Sequence, residues 1–355
     1  GGSIAHLTNE GALRVGPRSA GSDPGPVCFA RGGKEPTVTD ANALLGRISD
    51  GLFLNGKLRL DRNAAAAALQ NKVGAAMGFA SSELDTVAAG VLALSNTQMA
   101  DAIKEITIER GRDARSYVLF AFGGGGPLHA VELARQLHIP RVIVPPEPGN
   151  FSAIGMLFAS ARLDESRSVR DAITPRSVAD IQSAIAAISE RMRKDLQGED
   201  SVSEIVFEAH VDIRFCGQRN SLKVPVPTHD LDAPNLCERY FNQYRQRYGH
   251  VDKTLAVEMI GFSVTAIALT PRPDMRELHR AGTIGSSPPQ HRAVFALDAG
   301  RRLETPVFNR FALQPGEAIG GPAIVEEFGS TTVIGPSDRL KVGELGELDI
   351  AIGEG

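Results

Sequence analysis

The feature that most constrains the fold is a short apolar run followed at once by four glycines. Val118–Phe122 is continuously apolar, as expected of a strand buried on both faces of a sheet. The glycines are followed by Pro127 and by a predicted helix over Leu128–Leu137. A second apolar strand, Arg141–Val144, comes next. A strand, a helix and another strand form a βαβ unit, so the sequence predicts an α/β protein whose sheet is at least partly parallel.

The tetraglycine loop is the strongest chemical signal in the chain. Glycine backbone between a buried strand and a helix N-terminus lets N–H groups approach a phosphate or a purine closely. A tight turn alone seldom needs four consecutive glycines, because each one costs conformational entropy on folding. We therefore predict that a cofactor is bound by Gly123, Gly124, Gly125 and Gly126.

Two common phosphate-binding motifs do not match this loop. A P-loop needs Lys and then Ser or Thr after its last glycine, where this chain has Pro127 and Leu128. A dinucleotide-binding fingerprint needs glycine at the position of His129. The sequence therefore favours neither a P-loop kinase nor a Rossmann dehydrogenase.

Three side chains near glycine-rich segments are candidates for catalysis. His129 lies in the first turn of the predicted helix, where the helix dipole would favour neutral imidazole, but a capping or packing role explains it equally well. Asp23 and Asp40 could act as a base or hold magnesium through water. Asp40 has an alternative role as the N-cap of a short helix. Asn150 closes a second loop after Val144 and is a further candidate for cofactor binding.

The remainder of the chain divides by composition. A shaped loop is expected over residues 16–26, which are rich in Gly and Pro, and residues 56–112 form a predicted helical insertion. Residues 271–290 resemble a linker that precedes a small β-rich module. Between the helical insertion and the linker, the sequence predicts helices near 177–197 and 232–247. It also predicts strands near 204–214, 221–226 and 255–269.

Composition excludes several classes of partner and site. The formal net charge is −4 and basic residues are scattered, so no nucleic-acid partner is predicted. Cys28, Cys216 and Cys237 have no paired spacing, which indicates neither a zinc site nor a disulfide framework and favours the reducing cytoplasm. The longest apolar stretch, residues 151–161, is too short to cross a bilayer, so no membrane partner is predicted.

Several strings in order along nearly the whole chain resemble the hydantoinase/oxoprolinase family. The N-terminal strings are GGSIA at 1–5, GPRSAG at 16–21, DPGP at 23–26 and PTVTDAN at 36–42. The central strings are FGGGGPLHA at 122–130, IPRV at 139–142 and SAIGM at 152–156. The C-terminal strings are GPAIVEE at 321–327 and STTV at 330–333.

The resemblance is to the C-terminal part of such proteins and implies part of an actin/hexokinase-like fold. Residues 1–165 would be the second half of the nucleotide-binding region and 166–270 an α+β domain. Residues 271–355 would hold the linker and a C-terminal β-rich module. In such folds a glycine-rich loop of the second half packs on adenosine, and we assign this role to Gly123–Gly126.

The family includes the N-methylhydantoinase A subunit, 5-oxoprolinase and the acetone carboxylase β subunit. The resemblance implies a subunit or fragment of a hydrolase that uses ATP and Mg²⁺ to activate the ring carbonyl of a cyclic amide by phosphorylation. The alternatives are a carboxylase-type β subunit that activates a ketone and a non-catalytic scaffold that binds nucleotide. The expected partners are an N-terminal half, a hydantoinase B-type subunit and further copies in an oligomer.

Two departures from the family pattern affect these expectations. The family's phosphate motifs lie upstream of the GGSIA string and have no counterpart in this sequence, which begins without Met. We therefore expect a fragment or a processed chain that hydrolyses ATP negligibly by itself. Asn220 also stands where the family usually has an aromatic residue, which would alter packing or substrate preference.

Overall fold

The computed structural model describes residues 2–49, 58–197, 202–276 and 288–353. The chain forms two compact units. Unit 1 comprises residues 1–155 and 274–355, and unit 2 comprises residues 156–273. The chain thus returns to unit 1 after residue 273, whereas the sequence led us to expect a separate module over 271–355.

Unit 1 begins with an antiparallel ribbon of β1 (Ser3–Leu7) and β2 (Leu13–Ser19). The predicted loop over residues 16–26 was wrong in its first part, because residues 16–19 belong to β2. Gly16 adopts a φ of 69°, which glycine tolerates. Pro17 has no N–H to donate, but among the described strands β2 pairs with β1 alone, so its other edge needs no donor.

Three helices pack beside this ribbon: α1 (Val38–Leu44), α2 (Arg62–Leu69) and α3 (Leu84–Glu109). Their shared apolar core includes residues from α1, α3 and β2. The described part of the predicted helical insertion, from residue 58, contains α2 and α3, whereas residues 56 and 57 lie outside the described ranges. The N-cap of α1 is Thr37, so the predicted N-cap role of Asp40 was wrong; Asp40 occupies the third helical position of a capping box.

The βαβ unit is confirmed as β3 (Leu119–Phe120), α4 (Gly126–Gln136) and β4 (Arg141–Val144), with the two strands parallel. The prediction that the first strand is buried on both faces was wrong. Val118, Phe120 and Phe122 are exposed because β3 is the edge strand of its sheet.

The chain leaves unit 1 through α5 (Phe151–Leu157) and enters unit 2. The elements of unit 2 are β5 (Ala161–Ala172), α6 (Pro175–Leu196), β6 (Glu204–Phe215), β7 (Leu222–Val226), α7 (Ala233–Tyr248) and β8 (Val257–Leu269). The strands form an antiparallel sheet in the order β5-β8-β6-β7. Both helices share its core, to which β6 contributes alternate residues such as Val211 and Ile213.

Back in unit 1, seven strands complete two sheets. They are β9 (Gln290–Ala296), β10 (Arg301–Asn309), β11 (Ala318–Gly320), β12 (Ala323–Glu327), β13 (Ser330–Ile334), β14 (Arg339–Val342) and β15 (Leu348–Ala351). One sheet has the order β13-β12-β10-β9 and the other β11-β14-β15-β4-β3. Because β15 pairs antiparallel with β4, the C-terminal strands and the βαβ unit share one mixed sheet. Most of the predicted linker, residues 277–287, lies outside the described residues.

Within the described ranges, no single helix is long and apolar enough to cross a membrane. The segments 62–77 and 81–109 pass a length and composition test only as a pair bent by 108°.

Candidate functional site

Two loops meet at the carboxyl ends of the parallel strands β3 and β4. The first contains Gly123–Gly126 and the second leads from Val144 to Asn150. The Gly123 N–H donates a hydrogen bond of 2.7 Å to the carbonyl oxygen of Pro148, which joins the loops directly. The structure thus brings together the two loops that contain all five residues predicted to bind a cofactor. Asn150 lies at the end of the second loop and is exposed.

Different structural reasons apply to the four glycines. Gly123 has a φ of 86°, a conformation that favours glycine. A Cβ on Gly124 would lie 3.0 Å from the carbonyl oxygen of Gly329, so close backbone packing requires glycine there. A Cβ on Gly125 would meet nothing within 4 Å, and one on Gly126 only the Ala121 carbonyl carbon at 4.0 Å. Packing within the described part of the chain therefore does not explain glycine at the last two positions.

Gly125 and Gly126 form the start of α4, with Gly125 at the N-cap. Gly125 is exposed, and because glycine has no side chain it cannot cap the helix with a side-chain hydrogen bond. Backbone N–H groups of a first helical turn have no partner within the helix. Pro127 has no N–H, so Gly125 and Gly126 supply the accessible backbone donors at this end of α4. Together with the positive partial charge of the helix N-terminus, they suit an anionic ligand such as a phosphate.

Three half-exposed aromatic rings adjoin the two loops. Phe122 immediately precedes Gly123, and Phe151 immediately follows Asn150. The ring centroids of Phe151 lie 5.4 Å from Phe120 and 5.6 Å from Phe122. The cluster gives the loops an apolar neighbour of the kind that a nucleotide base can contact.

His129 is buried in the first turn of α4. Its Nδ1 lies 2.7 Å from Oδ1 of the buried Asn96 in α3. Burial, together with the smaller effect of the Arg47 charge, lowers the pKa of His129 to about 3. Both causes favour the neutral imidazole at neutral pH.

Arg47 binds two residues at the start of the same helix. This fully buried guanidinium donates from Nη2 to the carbonyl oxygen of Leu128 and pairs through Nη1 with Glu132 at 2.8 Å. The first turn of α4, which carries the open glycines, is thus held by a charged side chain that follows α1.

Asp40 is 1% exposed and binds the front loop instead of solvent. Its carboxylate accepts four hydrogen bonds, from the backbone N–H of Val27, Cys28 and Thr37 and from the Thr37 hydroxyl, at 2.7–3.2 Å. These contacts account for Asp40 without a ligand, and the predicted role in catalysis stays a prediction. Burial raises the pKa of the Cys28 thiol and the Asp40 charge adds to the rise, so this thiol is not a nucleophile at neutral pH.

Asp23 is exposed and lies elsewhere. It lines an open cleft of about 620 Å³ together with Arg18, Lys34 and Glu35. In the described part of the chain, none of the four loop glycines lines this cleft. The structure therefore separates the three predicted catalytic residues into one exposed carboxylate and two buried groups, and their assignment as catalytic remains a prediction.

A hairpin of the C-terminal strands supplies residues that the sequence did not single out. The carbonyl oxygen of Gly329, between β12 and β13, would lie 3.3 Å from a Cβ on Gly149 as well as close to Gly124. Two residues before Gly329, Glu327 pairs with Arg310 at 3.3 Å, and both side chains are almost fully buried. Arg310 also donates to the carbonyl oxygen of Val144, where the second loop begins. The C-terminal strands thus support both loops.

Burial raises the pKa of Glu327 to about 7, while the Arg310 charge lowers it and the Glu147 charge adds to the rise. Burial also lowers the pKa of Arg310, against the attraction of Glu327, Glu347 and Glu147. The raised pKa brings the change in charge of Glu327 close to neutral pH.

Comparison with known proteins now identifies the family. The model of the hydantoinase/oxoprolinase family matches residues 1–165, and that of the hydantoinase/oxoprolinase C-terminal domain matches residues 169–345. This chain belongs to the hydantoinase/oxoprolinase family. The family predicted from the sequence motifs is confirmed.

Relatives and solved structures agree with this membership. The chain is 32% identical over 352 residues to the caprolactamase α subunit of Pseudomonas jessenii, covering 96% of this chain and 50% of that one. The crystal structure of that ATP-dependent caprolactamase matches with a TM-score of 0.71 and 29% identity, over 100% of this chain and 52% of that one. Nucleotide-free acetone carboxylase matches in fold with a TM-score of 0.85 and 22% identity, over 99% of this chain and 51% of that one.

These likenesses confirm the predicted mixed, partial actin/hexokinase-like fold. The chain spans about half the length of three curated relatives that it matches. The residues that sequence reasoning missed, Arg47, Arg310, Glu327 and Gly329, left little signal. Isolated arginines and glutamates are usually surface residues, and only the strings that flank Gly329 indicated a family segment.

We expect Asp40→Asn to destabilise unit 1 by about 2–3 kcal/mol, because an amide cannot accept all the hydrogen bonds that the buried carboxylate accepts. The free energy of unfolding in denaturant is the measurement. Asp23→Asn, on an exposed carboxylate, is the control and should stay within about 0.5 kcal/mol of the unsubstituted chain. Equal stability of the two variants would contradict the anchoring role.

Glu327→Gln should weaken the dependence of stability on pH. Because the folded pKa is raised from the ordinary 4.5 to about 7, the folded protein retains a proton that the unfolded chain releases. The resulting stabilisation is complete below pH 4.5 and is lost as pH rises through 7. The variant should therefore lose less unfolding free energy than the unsubstituted chain between about pH 5 and about pH 8. Glu344→Gln, at a highly exposed position, should leave the pH dependence unchanged.

Proposed function

We propose that this chain supplies part of the nucleotide site of an ATP-dependent enzyme that activates the ring carbonyl of a cyclic amide. The observation that carries the proposal is glycine at positions 125 and 126, where a Cβ would meet no close contact in the described part of the chain. Glycine suits the N-cap that Gly125 occupies, but Gly126 lies inside the helix, where glycine is unfavourable, and a close approach from outside the chain gives it a reason to lack a Cβ. Their position at the N-terminus of an 11-residue helix favours a phosphate or a purine as the group that approaches.

The residues present fit a nucleotide in three respects. The start of α4 offers backbone donors, the exposed glycines leave room, and the cluster of Phe120, Phe122 and Phe151 offers an apolar surface. Asn150 stands beside this cluster with its amide available at the surface of the second loop. We propose that the two loops bind and orient ATP, which would supply the phosphoryl group for the carbonyl oxygen.

Mg²⁺ is proposed to accompany the nucleotide. No group of three or more His, Cys, Asp or Glu side chains that could hold a metal occurs in the described residues.

The three residues predicted to be catalytic, Asp23, Asp40 and His129, would have different roles. Asp23 is the exposed one, so we propose it as the acid–base group. Asp40 and His129 would hold the front loop and the first turn of α4 in place.

The proposal extends to partners and compartment. The matched relative in Pseudomonas jessenii is a subunit, and this chain spans half its length. We therefore propose that the active enzyme contains a further N-terminal half and a hydantoinase B-type subunit, in an oligomer. The three cysteines are free, which agrees with a location in the reducing cytoplasm.

The deciding experiment is ATP hydrolysis by the intact parent protein with its co-expressed partner, against hydantoins, 5-oxoproline, larger lactams and small ketones. Stimulation by one cyclic amide is the expected result and identifies the substrate. Stimulation only by a ketone with bicarbonate would instead assign a carboxylase-type subunit. If no compound stimulates hydrolysis and ADP does not bind, the chain is a scaffold and the proposal is wrong.

Gly125→Ala tests the observation that carries the proposal. The added methyl group meets no atom of the described residues, so stability should fall only by about 1 kcal/mol or less, the cost of alanine relative to glycine at an N-cap. Affinity for ADP, measured by calorimetry on the same assembly, should fall about tenfold, because the methyl group occupies the space of the ligand. Gly320→Ala, where a Cβ also meets nothing, is the matched control and should retain full affinity.

A further inference from the structure

The hairpin between β12 and β13 reaches the candidate site from the C-terminal end of the chain. Its tip is Phe328–Gly329, and the Gly329 carbonyl oxygen is packed against Gly124 of the first loop and Gly149 of the second. Substituting a Cβ at either loop glycine would bring it within 3.0–3.3 Å of that oxygen. The residue that follows the tip, Ser330, is therefore placed beside both loops.

The Ser330 hydroxyl is a buried polar group without a partner. Ser330 is 5% exposed, and its Oγ has no hydrogen-bond partner among the described residues. Buried hydroxyls are usually hydrogen-bonded, because an unpaired one loses its bonds to water without compensation. This observation is independent of the glycines and points to a ligand or another group that completes the bond.

Thr332 provides an internal comparison. Its Oγ1 also has no partner among the described residues, but the side chain is fully buried. It lies two residues farther along β13, about 6–7 Å from Ser330 and away from the hairpin tip. Its hydroxyl is thus matched to that of Ser330 in chemistry and burial but not in position relative to the loops.

We propose that the Ser330 hydroxyl binds the nucleotide, donating a hydrogen bond to a phosphate or ribose oxygen. This inference rests on the proposed function, and it adds the C-terminal hairpin as a third wall of the site. The Glu327–Arg310 pair stabilises this wall from within unit 1, since it directly precedes the tip and binds the start of the second loop. Nucleotide binding then depends on residues about 200 positions apart in sequence, Gly125 and Ser330.

The test uses the intact protein with its co-expressed partner and compares Ser330→Ala with Thr332→Val. Thermal unfolding without nucleotide should be unchanged or slightly raised in both variants, because each loses a buried hydroxyl that has no partner. The affinity for ADP should fall about tenfold in Ser330→Ala, the usual effect of one lost hydrogen bond to a charged group, and should not change in Thr332→Val.

Adenosine identifies the oxygen that is bound. If Ser330→Ala weakens ADP but not adenosine, the hydroxyl contacts a phosphate; if both weaken, it contacts the nucleoside. Unchanged ADP affinity in Ser330→Ala, with binding by the unsubstituted protein intact, would overturn the inference and leave the proposed function standing. Equal loss in both variants would also overturn it, by indicating a general effect on the hairpin. No ADP binding by the unsubstituted protein would overturn the proposed function itself.

Discussion

Unit 1 depends on arginine side chains that hold backbone carbonyls from distant parts of the chain. Arg47 binds the carbonyl of Leu128, Arg310 that of Val144, and Arg292 that of Gly46, which follows α1. Each of these arginines also pairs with a glutamate. A guanidinium group has five donors in a fixed plane, so one side chain can satisfy a carboxylate and a carbonyl together. Loss of any of the three would remove a hydrogen bond from a backbone carbonyl and the cationic partner of a glutamate that is mostly buried.

The parts of the fold that follow local periodicity could be predicted from the sequence. The helices and three of the four strands of unit 2 were placed to within a few residues, because their apolar residues recur at helical or alternating spacing. β5 was missed because it alternates charged residues with few buried apolar ones. The pairing of β15 with β4 could not be predicted, since it joins segments about 200 residues apart and no local pattern specifies a partner. The exposure of Phe120 and Phe122 follows from that same arrangement, which leaves β3 at the edge.

The part of the candidate site that could be predicted from the sequence is the glycine loop, because glycine loses more conformational entropy on folding than other residues. Four glycines at the start of a helix stand out, and the structure shows that a Cβ on two of them would meet no close contact among the described residues. Asp40 was noticed for its carboxylate, but its contacts depend on the folding of the loop at 27–37 around it. Ser330 begins the STTV string at 330–333, but the string does not indicate a binding role, because the significance of Ser330 lies in burial without a partner among the described residues. Such a property exists only after distant segments have packed.

The return of the chain to unit 1 after residue 273 has a consequence for synthesis. On the ribosome, β4 emerges roughly 200 residues before β15, its antiparallel neighbour, and all of unit 2 is made in between. Unit 2 contains every strand of its own sheet and can fold while the central sheet of unit 1 is still incomplete. During this interval the newly made βαβ segment has two unpaired strand edges. Unpaired apolar strands are prone to aggregate, so this is the stage of synthesis at which binding by a chaperone would protect the chain most.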